Sequence, residues 1–123
     1  MRKLKLYLDT SVLSHLFADD TPDKMIDTNL FWGNLDNYDV FISPTVTEEL
    51  DECSEPKRSQ IYQRLREIKF QLLQKTNEIN HLAREYINHG VLKEKSFDDC
   101  MHIAFAVVYN CDIIVSWNFK HLV

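Results

Sequence analysis

Glycine occurs only twice and proline three times in 123 residues. No Ser/Gly-rich linker, repeat or low-complexity tract interrupts the chain, so an internal domain boundary is excluded. One domain over 1–123 is expected, long enough for a single packed core and too short for two. Long hydrophobic runs are also missing. Nothing approaches the roughly 20 apolar residues of a spanning helix, and the stretch from Met1 to Asp9 has no apolar segment of the signal-peptide kind. These absences exclude a membrane protein and predict a cytoplasmic location. Cysteine is scarce: Cys53, Cys100 and Cys111 are an odd number without Cys-x-x-Cys spacing. That argues against a disulfide framework or zinc knuckle and for reduced, mostly buried thiols.

Hydrophobic residues at 45% and charged residues at 27% match ordinary globular usage, which excludes a disordered chain. The formal charge of -5 argues against nucleic-acid binding only until its distribution is read. Between Leu6 and Glu55 stand 12 acidic residues and one basic residue, Lys24, whereas Lys57 to Lys75 holds six basic residues and one acid, Glu67. An acidic half suited to cations adjoins a basic stretch suited to phosphates.

Leu4–Leu8, ending at Asp9, Val40–Ile42, ending at Ser43–Pro44, and Ile113–Val115 are short apolar runs separated by helical patterns. Such runs read as buried parallel strands, which implies an α/β layer fold. Pro22 suits a helix start, with Met25, Ile26, Leu30 and Phe31 on one face. Ile61, Leu65, Ile68 and Leu72 give the seam of one long amphipathic helix whose other faces carry Arg58, Arg64, Arg66 and Lys69. Ile79, Leu82 and Tyr86 form a further helix ended by Gly90. From Phe97 to Tyr109 nearly every side chain after Asp99 is apolar, so that helix is expected to be central and buried on most sides.

Functional groups of open α/β sheets collect beyond the carboxyl ends of the strands. Asp9 stands there, followed by Thr10 and Ser11, whose hydroxyls can cap the next helix and orient the carboxylate; a plain N-cap is the simpler reading. Glu48 and Glu49 follow the second strand by one turn, where acids also suit the helix macrodipole. Asp98 and Asp99 open the buried helix, one to cap it and the other to face inward. Three acids at three such positions are harder to explain as independent caps, because clustered carboxylates repel unless a cation neutralises them. Oxygen ligands suit hard cations such as Mg²⁺ or Mn²⁺, and the chemistry that follows is phosphodiester hydrolysis by a metal-activated water.

Four segments, Leu6–Leu13, Ile42–Leu50, Asp99–Ala106 and Ile114–His121, resemble the PIN-domain family in order and spacing over essentially the whole chain. The resemblance implies a three-layer fold with a central parallel sheet flanked by helices. It also implies a Mg²⁺ or Mn²⁺ pocket and nuclease activity on RNA. Small members look like VapC-type toxins of toxin–antitoxin pairs, which implies an antitoxin partner and a homodimer. Carried over by position, Asp9, Glu49 rather than Glu48, and Asp99 rather than Asp98 match the metal ligands. Asn118 stands where many members place Asp. Its amide oxygen can ligate a cation or hold its water, but it adds no charge and cannot act as a base. A variant ending Ser-Trp-Asn-Phe-Lys-His is also found within the family. The family usually continues into a further strand, so a sheet lacking the last C-terminal strand, a sheet completed by a neighbour, and a shortened sequence all remain open.

The leading expectation is a metal-dependent endoribonuclease in which Asp9, Glu49 and Asp99 hold the ion, while Asn118 with Thr10 or Ser11 orients water or ligands. The alternative is a PIN-like binding module without turnover. A phosphatase with an aspartyl nucleophile would want an acid at Ser11. The histidines His15, His81, His89, His102 and His121 show no metal-ligand spacing and are read as structural, although Asp99 and His102 share a helix face. Trp117 is read first as packing and second as a platform for a base. Arg58, Arg64, Arg66 and Lys69 are read as a solvated face or as an RNA contact.

Overall fold

The computed structural model describes residues 2–90 and 96–118. Leu6, Tyr7 and Leu8 are all buried on β1 (Lys5–Leu8), as are Val40, Phe41 and Ile42 on β2 (Asp39–Ile42). Both faces of these strands are therefore covered, the reason their sequences are continuous rather than alternating. Leu6, Leu8, Val40 and Ile42 point into one hydrophobic cluster, and Tyr7 and Phe41 into another. The first cluster packs under α1 (Thr10–His15), α2 (Pro22–Trp32), α3 (Pro44–Asp51) and α4 (Lys57–Leu65). The second lies against α5 (Asn77–Asn88) and α6 (Phe97–Val108). The result is three layers, with the sheet in the middle.

All described strand pairs are parallel, in the order β3-β2-β1-β4, with β3 at Gln71–Leu72 and β4 at Ile113–Val115. The chain winds outward from β1 through β2 to β3, then returns to place β4 on the other side of β1. The strand order thus reverses beside β1, and the switch point at the carboxyl ends of β1 and β4 is where such sheets open a crevice. The Asp9 N–H donates to the carbonyl of Val115 (3.3 Å), closing the two strand ends together. α5 ends as expected: His89 is its C-cap and Gly90 follows with φ of 62°, the left-handed conformation that glycine adopts without strain.

Three expectations change. The seam from Ile61 to Leu72 is not one helix: α4 stops at Leu65, Gln71–Leu72 pairs with Phe41 and Ile42 as an edge strand, and Leu72 is 54% exposed while Leu73 is buried. The outer edge of β2 offers backbone groups that need partners, and this tertiary pairing overrides the helical spacing. On α2 the buried positions are Thr28 and Trp32, while Ile26 and Leu30 lie 55% and 65% exposed. Asn29 donates from its amide to the Leu16 carbonyl (3.1 Å) and Trp32 brings the larger apolar body, which together turn the helix away from the predicted face. On α6, residues Cys100–His102 and Ala104–Ala106 are buried, but Phe97 and Val107 near its ends are exposed. Cys100 is buried and Cys53 and Cys111 half-buried, all three as free thiols. Residues 119–123, which hold the tail of the Ser-Trp-Asn-Phe-Lys-His segment with His121, lie outside the described residues.

Candidate functional site

Asp9 leaves the carboxyl end of β1 and is 1% exposed. As N-cap of α1 it accepts at Oδ1 from the Ser11 N–H (3.0 Å) and the Ser11 hydroxyl (2.5 Å). Its Oδ2 accepts from the Ser116 hydroxyl, beyond the end of β4. Ser11 Oγ in turn accepts from the Trp117 N–H (2.9 Å), and Ser116 Oγ from the Asn118 N–H (2.8 Å). Hydroxyls and backbone dipoles solvate this carboxylate; among the described residues no basic side chain forms an ion pair with it.

Glu49 lies half-buried on α3 while Glu48 faces solvent. Its Oε1 accepts from the Thr10 hydroxyl (2.7 Å) and lies 2.6 Å from His102 Nε2. Burial pushes this carboxyl up, but the hydrogen bonds from His102 and Thr10 outweigh it, leaving the group below its ordinary value. Glu49 Oε2 accepts no hydrogen bond among the described residues. On its other side the His102 ring places Nδ1 2.6 Å from the Tyr7 hydroxyl, which is 2.7 Å from Ser43 Oγ.

Asp99 occupies the third position of α6 and forms a capping box: its N–H donates to Ser96 Oγ (3.2 Å), and its Oδ2 accepts from the Ser96 N–H (3.3 Å) and hydroxyl (3.1 Å). Asp98 is exposed, and Asp99, the acid matched to a metal ligand by the resemblance, is the one that caps. Asp99 precedes His102 by one turn of α6 and retains Oδ1. Thr10 therefore joins Asp9 to Glu49, and His102 joins Glu49 to the helix of Asp99, but no group of three potential metal-ligating side chains is gathered closely enough to hold an ion among the described residues. Asn118 is exposed next to this cluster.

The basic residues do not share a face. Arg58 pairs with Glu55 (3.7 Å), and Arg64 pairs with Glu67 (3.0 Å), donates to Asn29 Oδ1 (2.9 Å) and covers the Trp32 ring. Arg66 is exposed just past α4, and Lys69 lines a cavity of about 490 Å³ with Lys3 and Asp39 at the opposite, amino end of the sheet. Two other lysines come nearer to α1: Lys57 donates to Ser14 Oγ (3.0 Å), and Lys24 lies over the Trp117 ring. Trp117 donates from Nε1 to Thr28 Oγ1 (3.0 Å) and meets the His15 ring, as a packing residue does. It also lines a cavity of about 300 Å³ with Val12, Phe31 and Ser116. Sequence reasoning passed over His102; its one signal was the three-residue spacing from Asp99.

The PIN domain family model matches residues 6–119. The chain belongs to the PIN domain family. The PIN fold is matched by solved structures at low identity. VapC20 of Mycobacterium tuberculosis, described as a sarcin-ricin loop cleaving toxin, superposes with a TM-score of 0.72 at 16% identity, covering 94% of this chain and 91% of that one. VapBC2 of Rickettsia felis, bound to a DNA fragment from its promoter, gives a TM-score of 0.58 at 13% identity, with coverage of 91% and 87%. Among curated proteins no match is found.

The donor set of this PIN domain fits a hard divalent cation in its chemistry. It is made of oxygens, it includes a buried carboxylate without a basic partner, and it leaves Glu49 Oε2 and Asp99 Oδ1 outside the described hydrogen bonds. Zinc is a poorer fit, because both nitrogens of the nearest histidine, His102, are engaged in hydrogen bonds.

Proposed function

We propose that this PIN domain is an endoribonuclease that hydrolyses RNA phosphodiester bonds with Mg²⁺ or Mn²⁺, acting as the toxin of a toxin–antitoxin pair. The observation that carries the reading is Asp9, a buried carboxylate at the switch point of the sheet, held by hydroxyls and in no ion pair with a basic side chain among the described residues. Asp9, Glu49 and Asp99 would hold the cation. When bound, the metal would supply a more acidic water as nucleophile and neutralise charge on the phosphate. Ser11 and Ser116 fix the Asp9 carboxylate by donating to its two oxygens, and Thr10 fixes Glu49. Asn118, next to Trp117 and anchored through its N–H to Ser116, orients ligand or water from the outer side.

The biological setting is supported by the VapC and VapBC structures of like fold. An antitoxin partner and a homodimer accord with Ile26 and Leu30, two large apolar side chains that α2 leaves exposed. No described helix is long and apolar enough to cross a membrane, which accords with action in the cytoplasm. Of the predicted basic set, Arg66 and Lys69 are the exposed members outside any described ion pair, with Trp117 nearer the site. A second reading, a binding module without turnover, is favoured by the use of Asp99 Oδ2 in a helix cap and by Asn118 in place of an acid.

The test is incubation of RNA with the purified protein in Mg²⁺, in Mn²⁺ and in EDTA. Internal cleavage that needs either metal supports the nuclease. A folded protein that binds an antitoxin tightly yet leaves every RNA intact in both metals favours the binding module.

A further inference from the structure

The chain of hydrogen bonds behind Glu49 is built from groups that a hydrophobic core ordinarily excludes. Ser43 and Tyr7 are 0% exposed and His102 is 2% exposed, and each is bonded to the next at 2.6–2.7 Å. Burying a phenol, an imidazole and a hydroxyl together is costly unless every polar atom finds a partner, and here each does. The chain draws on Tyr7 of β1, Ser43 at the end of β2 and His102 of α6, and it terminates on Glu49 of α3.

Its direction follows from donor and acceptor chemistry. An ionised Glu49 only accepts, so His102 Nε2 carries the hydrogen. A neutral ring then has a lone pair on Nδ1, to which the Tyr7 hydroxyl donates, and the Tyr7 oxygen accepts from Ser43. With both ring nitrogens engaged, His102 is not itself a ligand.

We propose that His102 is a positioning residue: its Nε2–H, with the tautomer set by Tyr7 and Ser43, pins Glu49 Oε1 and leaves Oε2 as the oxygen offered to the cation. This rests on the reading of Glu49 as a cation ligand. Thr10 donates to the same Oε1, so two donors from separate helices restrain one oxygen and neither engages the other. Outer partners that orient a ligating group commonly carry a 10–100-fold effect on metal affinity.

The experiment measures Mn²⁺ dissociation constants by electron paramagnetic resonance, without RNA, on full-length wild type, Glu49→Ala, His102→Leu, His102→Gln and Tyr7→Phe, each checked for folding by circular dichroism. The expected result is weaker Mn²⁺ binding in Glu49→Ala and roughly tenfold or greater weakening in His102→Leu. Partial recovery is expected in His102→Gln, whose amide N–H can still reach Glu49. Nitrogen-15 spectra of the metal-free wild type should place the His102 hydrogen on Nε2, and Tyr7→Phe should disturb that signal without unfolding the protein. If Glu49→Ala weakens Mn²⁺ binding and folded His102→Leu does not, the positioning role is overturned while the cation site stands. If Glu49→Ala has no effect, the cation-ligand reading fails and the proposal with it. A hydrogen found on Nδ1 overturns the proposal even where His102→Leu cannot fold.

Discussion

Asp9 and Asp99 both stand at the mouth of a helix and both cap it, yet they are held in different ways. Asp9 accepts from Ser11 in its own helix and from Ser116, 107 residues away, whereas the described partners of Asp99 are confined to Ser96, three residues before it. One carboxylate reports on the tertiary structure and is buried; the other reports on its own first helical turn and is partly exposed. The comparison separates a capping acid that could be replaced within its helix from one that ties β1, α1 and the end of β4 into a single corner.

Mutations can break that distinction at graded cost. Asp9→Ala removes a cap and strands the hydroxyls of Ser11 and Ser116, so urea unfolding should show a loss of about 2–3 kcal/mol. Asp9→Asn keeps an acceptor and should lose less than half as much. Ser116→Ala removes only the long-range donor and should cost about 1–2 kcal/mol. RNA cleavage by Ser116→Ala should fall about tenfold, because the carboxylate is no longer oriented. Ser96→Ala, at the local corner, should cost about 1 kcal/mol by thermal melting through loss of the helix cap. Its cleavage rate should change less than about threefold, under 1 kcal/mol in barrier, since Asp99 keeps its charge.

The smallest effect concerns Asp112, a carboxylate outside both corners. The Arg2 guanidinium and the Lys5 N–H hold it below the ordinary 3.8, at one end of the β1–β4 pair. A depressed folded value means that this contact stabilises the fold above the unfolded pKa and is lost as pH falls through the folded one. Asp112→Asn should flatten the acid side of the stability curve below about pH 4, with RNA cleavage at neutral pH unchanged. A shift in cleavage would tie this end of the sheet to the site and blur the contrast.

Much of the fold was legible because it is written in continuous apolar runs: β1 and β2 bury both faces, β4 is a short apolar run although Ile113 is 44% exposed, and α5 and α6 carry strong periodic or all-apolar patterns. Asp9 and Glu49 were legible because each follows a strand at a fixed distance. What could not be read depends on partners distant in sequence. β3 is a two-residue strand that exists because β2 has an open edge, and α2 turned its Thr28 and Trp32 face inward through contacts made elsewhere. His102 carried no ligand spacing, since its role comes from Tyr7 and Glu49, which meet it only after folding. The basic residues from Lys57 to Lys75 looked like one stripe because one helix was assumed; with α4 ending at Leu65, Lys69 falls at the far end of the sheet and Arg64 is used within the structure.

The central claim is that the corner of Asp9 is the cation-dependent centre of an RNA-cleaving site. Its most direct test is the single-turnover cleavage rate of Asp9→Asn against wild type at saturating Mn²⁺, with folding verified. The account predicts a loss of at least about 100-fold, or roughly 2.7 kcal/mol in the barrier. Equal rates in the two proteins would contradict it.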